Sequence, residues 1–235
     1  MKMNRPIALA KADLKLSLRR GEALILNLLF PIFFLVAINR TSDNIDKALA
    51  FSFVLTTMST SMSSLGIMTG FDRRFRVLVR LGTTPLTKLE LVISKVLSVL
   101  LLQTVYFLVL CLVALTLGWE PSFSWLLAPI FCWIASFSFA GMALLIAGQV
   151  KAEANLALQN LLYFLMAGVG SVVLSDSAPS SLLTFVKLFP SGALHFALQS
   201  LVDIRNFSIF SILVLLVGAV FWSFLAARFF SFDES

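Results

Sequence analysis

The chain has 235 residues, 59% of them hydrophobic and only 13% charged, with 23 phenylalanines and a formal net charge of +6. So apolar a composition excludes a water-soluble globular domain, and at roughly 20 apolar residues per spanning helix the length leaves little room for a separate soluble domain. The chain reads as an all-α integral membrane protein in which the placement of positive charge sets orientation, so no nucleic-acid partner is expected from the basic balance.

Residues 6–20, PIALAKADLKLSLRR, are too polar to span. Lys11, Lys15 and Arg19 recur every fourth residue beside Ile7, Leu14 and Leu18. That spacing predicts an interfacial helix with its basic stripe toward the anionic headgroups of membrane lipid. The next run is preceded by charged and mixed residues and is not followed by an A-x-A site, so it is expected to stay in the membrane. Six spans are predicted, at about 21–38, 48–70, 91–117, 124–148, 156–174 and 206–227. Pro31 in the first is tolerated because neighbouring helices satisfy the freed carbonyl. With the N-terminus inside, fourteen Lys and Arg fall on inner segments, against Arg40, Lys47, Lys187 and Arg205 on outer ones. The positive-inside rule then places both termini in the cytoplasm, with an even number of spans across the cytoplasmic membrane.

Between spans two and three lies FDRRFRVLVRLG, residues 71–82. At 100° per residue Arg73, Arg76 and Arg80 share an arc of about 60°, while Phe71, Phe75, Leu78 and Val79 share another of about 100°. An amphipathic helix is predicted, its apolar face on the membrane domain and its guanidinium groups open to a partner or to lipid phosphates. It must stop near Gly82, because Pro85 lacks an N–H and pushes the residue before it out of the helical region. A new helix then begins, capped either by Thr84 with Pro85 in its first turn or by a capping box of Thr87 and Glu90.

Within span two, TTMSTSMSS concentrates hydroxyls: Thr56, Thr57, Ser59, Thr60, Ser61, Ser63 and Ser64. They cover every face of a helix, so some must meet protein or a water-lined path. Together with Asn27 they form a candidate substrate path or dimer face; the alternative is close helix packing through small residues. Gln103, Gln159 and Asn160 are read as hydrogen-bonding between helices or touching substrate. The segment 175–205 is too polar at its start to span and too apolar later for a solvated loop. Two short external helices, broken at Pro190 and Gly192, are predicted, with Pro190, Ser191, Gly192 and His195 in the re-entrant part. The alternative is a seventh span over 182–202, which would have to accommodate Lys187, His195 and the Pro-Ser-Gly break.

Catalytic and metal motifs are lacking. The single histidine excludes a paired-histidine metal site, Cys111 and Cys132 have no disulfide or zinc spacing, and no phosphate loop is present. No ionisable residue lies deep in a span of the kind a proton- or sodium-coupled carrier uses.

RLGTTPLTKLELVISKVL, residues 80–97, resembles the cytoplasmic segment between the second and third spans of ABC-2 type permeases, and LFPSGALHFALQSL, residues 188–201, resembles their Pro-containing external segment. The order of spans is similar over the whole chain. The resemblance implies a non-enzymatic permease subunit that works as a homodimer or heterodimer. A cytoplasmic ATP-binding subunit, carrying the ATP and Mg, would dock through Phe71, Asp72, Arg73, Arg76 and Arg80. It further implies export of a hydrophobic or amphipathic substrate, such as a drug, lipid, glycolipid or peptide, by alternating access. The alternatives are a haem-exporter-like permease of cytochrome maturation, and a non-transporting anchor or intramembrane enzyme.

Overall fold

The computed structural model describes residues 4–19, 21–42, 44–82, 87–175, 178–202 and 208–230. Every regular element among them is helical. In order they are α1 (Asn4–Arg19), α2 (Gly21–Ser42), α3 (Ile45–Met58), a π-helical turn (Ser59–Ser64), α4 (Leu65–Arg74), α5 (Val77–Gly82), α6 (Lys88–Thr116), a short 3-10 turn (Phe123–Leu127), α7 (Ala128–Ala147), α8 (Ala152–Ser171) with a 3-10 extension (Val172–Leu174), α9 (Ser180–Val186), α10 (Pro190–Gln199) and α11 (Ile209–Phe229).

Five segments are long and apolar enough to cross a membrane: Ile45–Arg74, Ile93–Thr116, Phe123–Ala147, Ala152–Leu174 and Ile209–Phe229. They fall on the last five predicted spans. The first predicted span lies on α2, whose 22 residues make about 33 Å of helix, close to the ~30 Å of a hydrocarbon core. Its apolar run is shorter, Asn27–Ser42. The chain is thus an all-α, multi-pass membrane protein.

The core gathers around α3, whose residues from Ala48 onward are all buried. Phe53 packs on Phe107 of α6 at a centroid distance of 4.5 Å and meets Trp125 edge-on at 5.9 Å. The Ser52 hydroxyl ties α3 to α2 by donating to the Pro31 carbonyl at 3.1 Å. Outer faces of α8 and α11 stay open, with Leu161, Phe164, Val217 and Val220 exposed. In a bilayer this carries no penalty, because lipid tails are as apolar as these side chains.

Contacts sort the helix ends onto two sides. Lys95 near the start of α6 reaches both Asp13 of α1 and Asp72 of α4, and Arg73 reaches the end of α7; this is the basic end. At the opposite end the Trp119 indole donates to Asp46 at 2.9 Å, and Ser124 donates to the Leu201 carbonyl.

Candidate functional site

The last three residues of α4 each reach a different helix. Asp72 accepts from Lys95 Nζ at 2.9 Å, and the same ammonium lies 3.2 Å from Asp13. Lys95 is only 3% exposed, so two carboxylates hold a charge that burial alone would expel. Burial pushes the Asp13 carboxyl above its usual range, Lys95 draws it back, and the nearby Asp72 charge raises it further. Arg73 is buried and donates to the carbonyls of Ala147 and Val150. Carbonyls at the end of α7 have no intrahelical donor and carry the negative pole of the helix, so a guanidinium suits them. Arg74 pairs with Glu153 in the first turn of α8, where the helix favours an acid. Both partners of that pair are exposed, so it contributes little to stability.

This arrangement corrects the predicted helix over 71–82. α4 ends at Arg74 and α5 starts at Val77. Between them Arg76 has φ +55°, the left-handed region that L-residues seldom enter, so the axis turns there. Arg73, Arg76 and Arg80 therefore do not share one exposed face: Arg73 is committed to α7, while Arg76 and Arg80 are exposed. The apolar arc is split as well. Leu78 is buried, Phe71 is half-buried and stacks on Phe75 at 6.3 Å, and Phe75 is 67% exposed. What this turn presents outward is Phe75, Arg76, Val77 and Arg80.

The capping box is formed. Thr87 Oγ1 accepts from the Glu90 N–H at 3.2 Å, and Glu90 Oε2 accepts from the Thr87 N–H at 2.8 Å. The other predicted cap, Thr84 with Pro85, lies outside the described residues. Thr87→Ala is expected to lower thermal stability in detergent by about 1 kcal/mol, the usual worth of a lost N-cap.

The hydroxyl run of span two falls on the π-helical turn and the residues before it. Thr56, Thr57, Thr60 and Ser61 are buried and donate to carbonyls of their own helix, such as Thr56 to Ser52 at 2.8 Å and Thr57 to Phe53 at 2.7 Å. For these four the close-packing alternative fits, since their hydroxyls are spent on the backbone and their side chains are buried. Back-bonding of this kind bends helices, and a π turn within an α-helix is a common mark of a functional segment. Ser64 points to a different place, lining a narrow crevice with Asp13 and Lys95. A groove of about 340 Å³ takes in the remaining candidates, Asn27, Ser59 and Ser63, with Asn160, Tyr163 and Phe164 of α8 facing them. Ser63 lies 3.3 Å from Asn160 Oδ1 across it.

Sequence reasoning read Gln159 as hydrogen-bonding between helices, as it does, but missed Gly66, Gly70 and Asn155, which pack with it beside this groove. Gly66 and Gly70 of α4 leave room for the amides of Gln159 and Asn155, and a Cβ on either glycine would overlap them. Asn155 donates to the Gly66 carbonyl at 2.8 Å; Gln159 donates to the Ala143 carbonyl at 2.9 Å and lies 3.1 Å from Asn155 Oδ1. The signal was present as two four-residue spacings, Gly66–Gly70 and Asn155–Gln159, which meet only when the helices are docked. Gln103 does hydrogen-bond between helices, accepting from Ser136 at 2.8 Å. Lys95 and Asp13 had no local signal, being 82 residues apart in the chain.

At the opposite end α9 and α10 are bent by 110°, unlike the continuous helix of a seventh span. The break falls at Lys187–Phe189, with Pro190 opening α10, so Gly192 is a helical residue and not the break predicted there. Its role is contact: a Cβ on Gly192 would overlap the Val186 carbonyl. Ser191 and His195 are buried, and the His195 ring lies 5.8 Å from that of Phe51.

The chain matches the family model described as ABC-2 type transporter over residues 7–191. The search of curated proteins found no match.

Proposed function

The chain belongs to the ABC-2 type transporter family, and from that premise we propose that it is the permease half of an exporter moving a hydrophobic or amphipathic substrate out across the cytoplasmic membrane. Membership makes it a transport component, not the ATPase, and implies association with an ATP-binding subunit. ATP and Mg are assigned to that subunit. The basic end faces the cytoplasm in this reading, because most of the Lys and Arg lie on its segments.

The observation that carries the coupling assignment is the junction of α4 and α5. Asp72 binds Lys95 of α6, which in turn holds Asp13 of α1, while Arg73 binds α7 and Arg74 binds α8, so a force applied to the adjoining exposed turn reaches four other helices without passing through lipid. The groove between α2, the π turn and α8 is the substrate-path candidate. Its amides and hydroxyls sit on a flank where lipid cannot hydrogen-bond them, and a second permease copy against α2 and α8 would cover them.

Co-purification tests the docking. An ATP-binding subunit co-expressed with the full chain is expected to be retained by the wild type and lost, by tenfold or more, on combining Arg76→Glu with Arg80→Glu. Normal retention by that variant would sink the assignment of the α4–α5 turn as the docking surface.

A further inference from the structure

The crevice beside the ion cluster has a size and a lining that point to one occupant. It lies between α1, the π turn with the start of α4, and α6, and its volume is about 20 Å³. Apolar side chains of α4 and α6 wall part of it, Met68 among them, while Asp13, Thr60, Ser64 and Ser98 supply oxygen atoms. A cavity of roughly 10–15 Å³ is enough to hold one water. Drug-sized ligands occupy pockets of about 300 Å³ or more, so no organic molecule fits.

Two of the four oxygens have no hydrogen bond. Lys95 Nζ lies 3.2 Å from Asp13 Oδ2 but off the alignment a hydrogen bond needs, which leaves that buried oxygen without a hydrogen-bond partner. The Ser64 hydroxyl neither caps α4 nor bonds elsewhere among the described residues. The other two have spent their protons but not their lone pairs: Ser98 donates to the Lys95 carbonyl and Thr60 to the Thr56 carbonyl, each at 2.7 Å. The crevice therefore offers a free donor at Ser64 and acceptors at Asp13, Ser98 and Thr60. A water both donates and accepts, and about three hydrogen bonds are usual for a buried one. A bare cation would instead sit beside the Lys95 ammonium, whose charge opposes it.

We propose that the crevice binds a single water that donates to Asp13 Oδ2, accepts from Ser64 and takes Ser98 as its third partner. The water joins the ion cluster to the π turn of span two. Moving α1 away from α6 then breaks a link to Ser64 as well as the contact with Lys95, so the position of α1 is felt at the bend. This site does not rest on the transport reading, only on how α1, the π turn and α6 pack.

Two measurements on the full chain test it. A structure at a resolution that shows ordered water should have one density peak within roughly 2.5–3.0 Å of Asp13 Oδ2, and the peak should persist when sodium in the buffer is exchanged for choline. X-ray radiolysis makes hydroxyl radicals at ordered waters, and the oxidation they cause is read by mass spectrometry. Met68 lines the crevice, while Met62, 1% exposed and not part of its lining, serves as the reference within the same sample. Ser64→Val trades the hydroxyl for methyl groups at the crevice; it is expected to remove the peak and to lower Met68 oxidation at least threefold, with Met62 unchanged. If that variant does not fold, because it alters the π turn, Ser98→Val fills the crevice from α6 and is expected to give the same two results. A crevice without density, a peak lost in choline and therefore a cation, or unchanged Met68 oxidation in every folded variant overturns the proposal.

Discussion

Replacing Lys95 by methionine is expected to cost the protein about 3 kcal/mol, the low end of the penalty for removing one partner from a buried ion cluster. Asp13 and Asp72 would then be left near each other without a counter-ion. Neither carboxylate is well placed to recover water, because the Asp13 and Asp72 side chains are only 13% and 26% exposed. The measurement is thermal or denaturant unfolding of the full chain in detergent. A triple variant, Lys95→Met with Asp13→Asn and Asp72→Asn, should recover most of the loss, since replacing all members of a buried cluster by neutral groups is often close to neutral. Wild-type stability in Lys95→Met would mean that the cluster does not join α1, α4 and α6 as described. Lys95→Arg is not expected to rescue fully, because a planar fork cannot sit as a point charge between the two acids.

Gly192→Ala should be nearly as damaging as its small size is misleading. The added methyl would meet the Val186 carbonyl, which is backbone and cannot swing aside as a side-chain tip can. The bend between α9 and α10 would have to open, at about 1–3 kcal/mol for an overpacked contact, with a lower melting temperature as the readout. Gly168→Ala is the matched control. Gly168 is also helical, but nothing lies within 4 Å of an added Cβ, so that change should be neutral or stabilise by up to about 1 kcal/mol through helix propensity alone. Equal melting temperatures for the two variants would show that α9 and α10 do not approach as closely as their backbones indicate.

Much of this molecule was legible before folding. Apolar runs of spanning length located the helices of the last five predicted spans, because a bilayer demands unbroken hydrogen-bonded backbone over a fixed thickness and little else satisfies it. The Thr87–Glu90 box was legible because its partners are three residues apart and need no other part of the chain. So was the short-helix character of 180–199, where Pro190 can only open a helix. The arginine-rich turn misled for a related reason. Helical periodicity assigned Arg73, Arg76 and Arg80 to one face, yet periodicity assumes that the helix continues, and the left-handed Arg76 ends that assumption.

By itself, then, the sequence determined the helical class, the number of apolar segments and the local caps, all of which follow from interactions within a few residues. The tertiary structure alone decided which polar groups do what. Arg73 became a cap for α7 and Lys95 the centre of an ion cluster, because each found its partner in a helix distant along the chain, while the hydroxyls of Thr56, Thr57, Thr60 and Ser61, bonded within their own helix, were buried by the helices docked around it. A buried polar group takes its role from the partner that satisfies it, and in a bundle of docked helices that partner is set by packing, not by spacing.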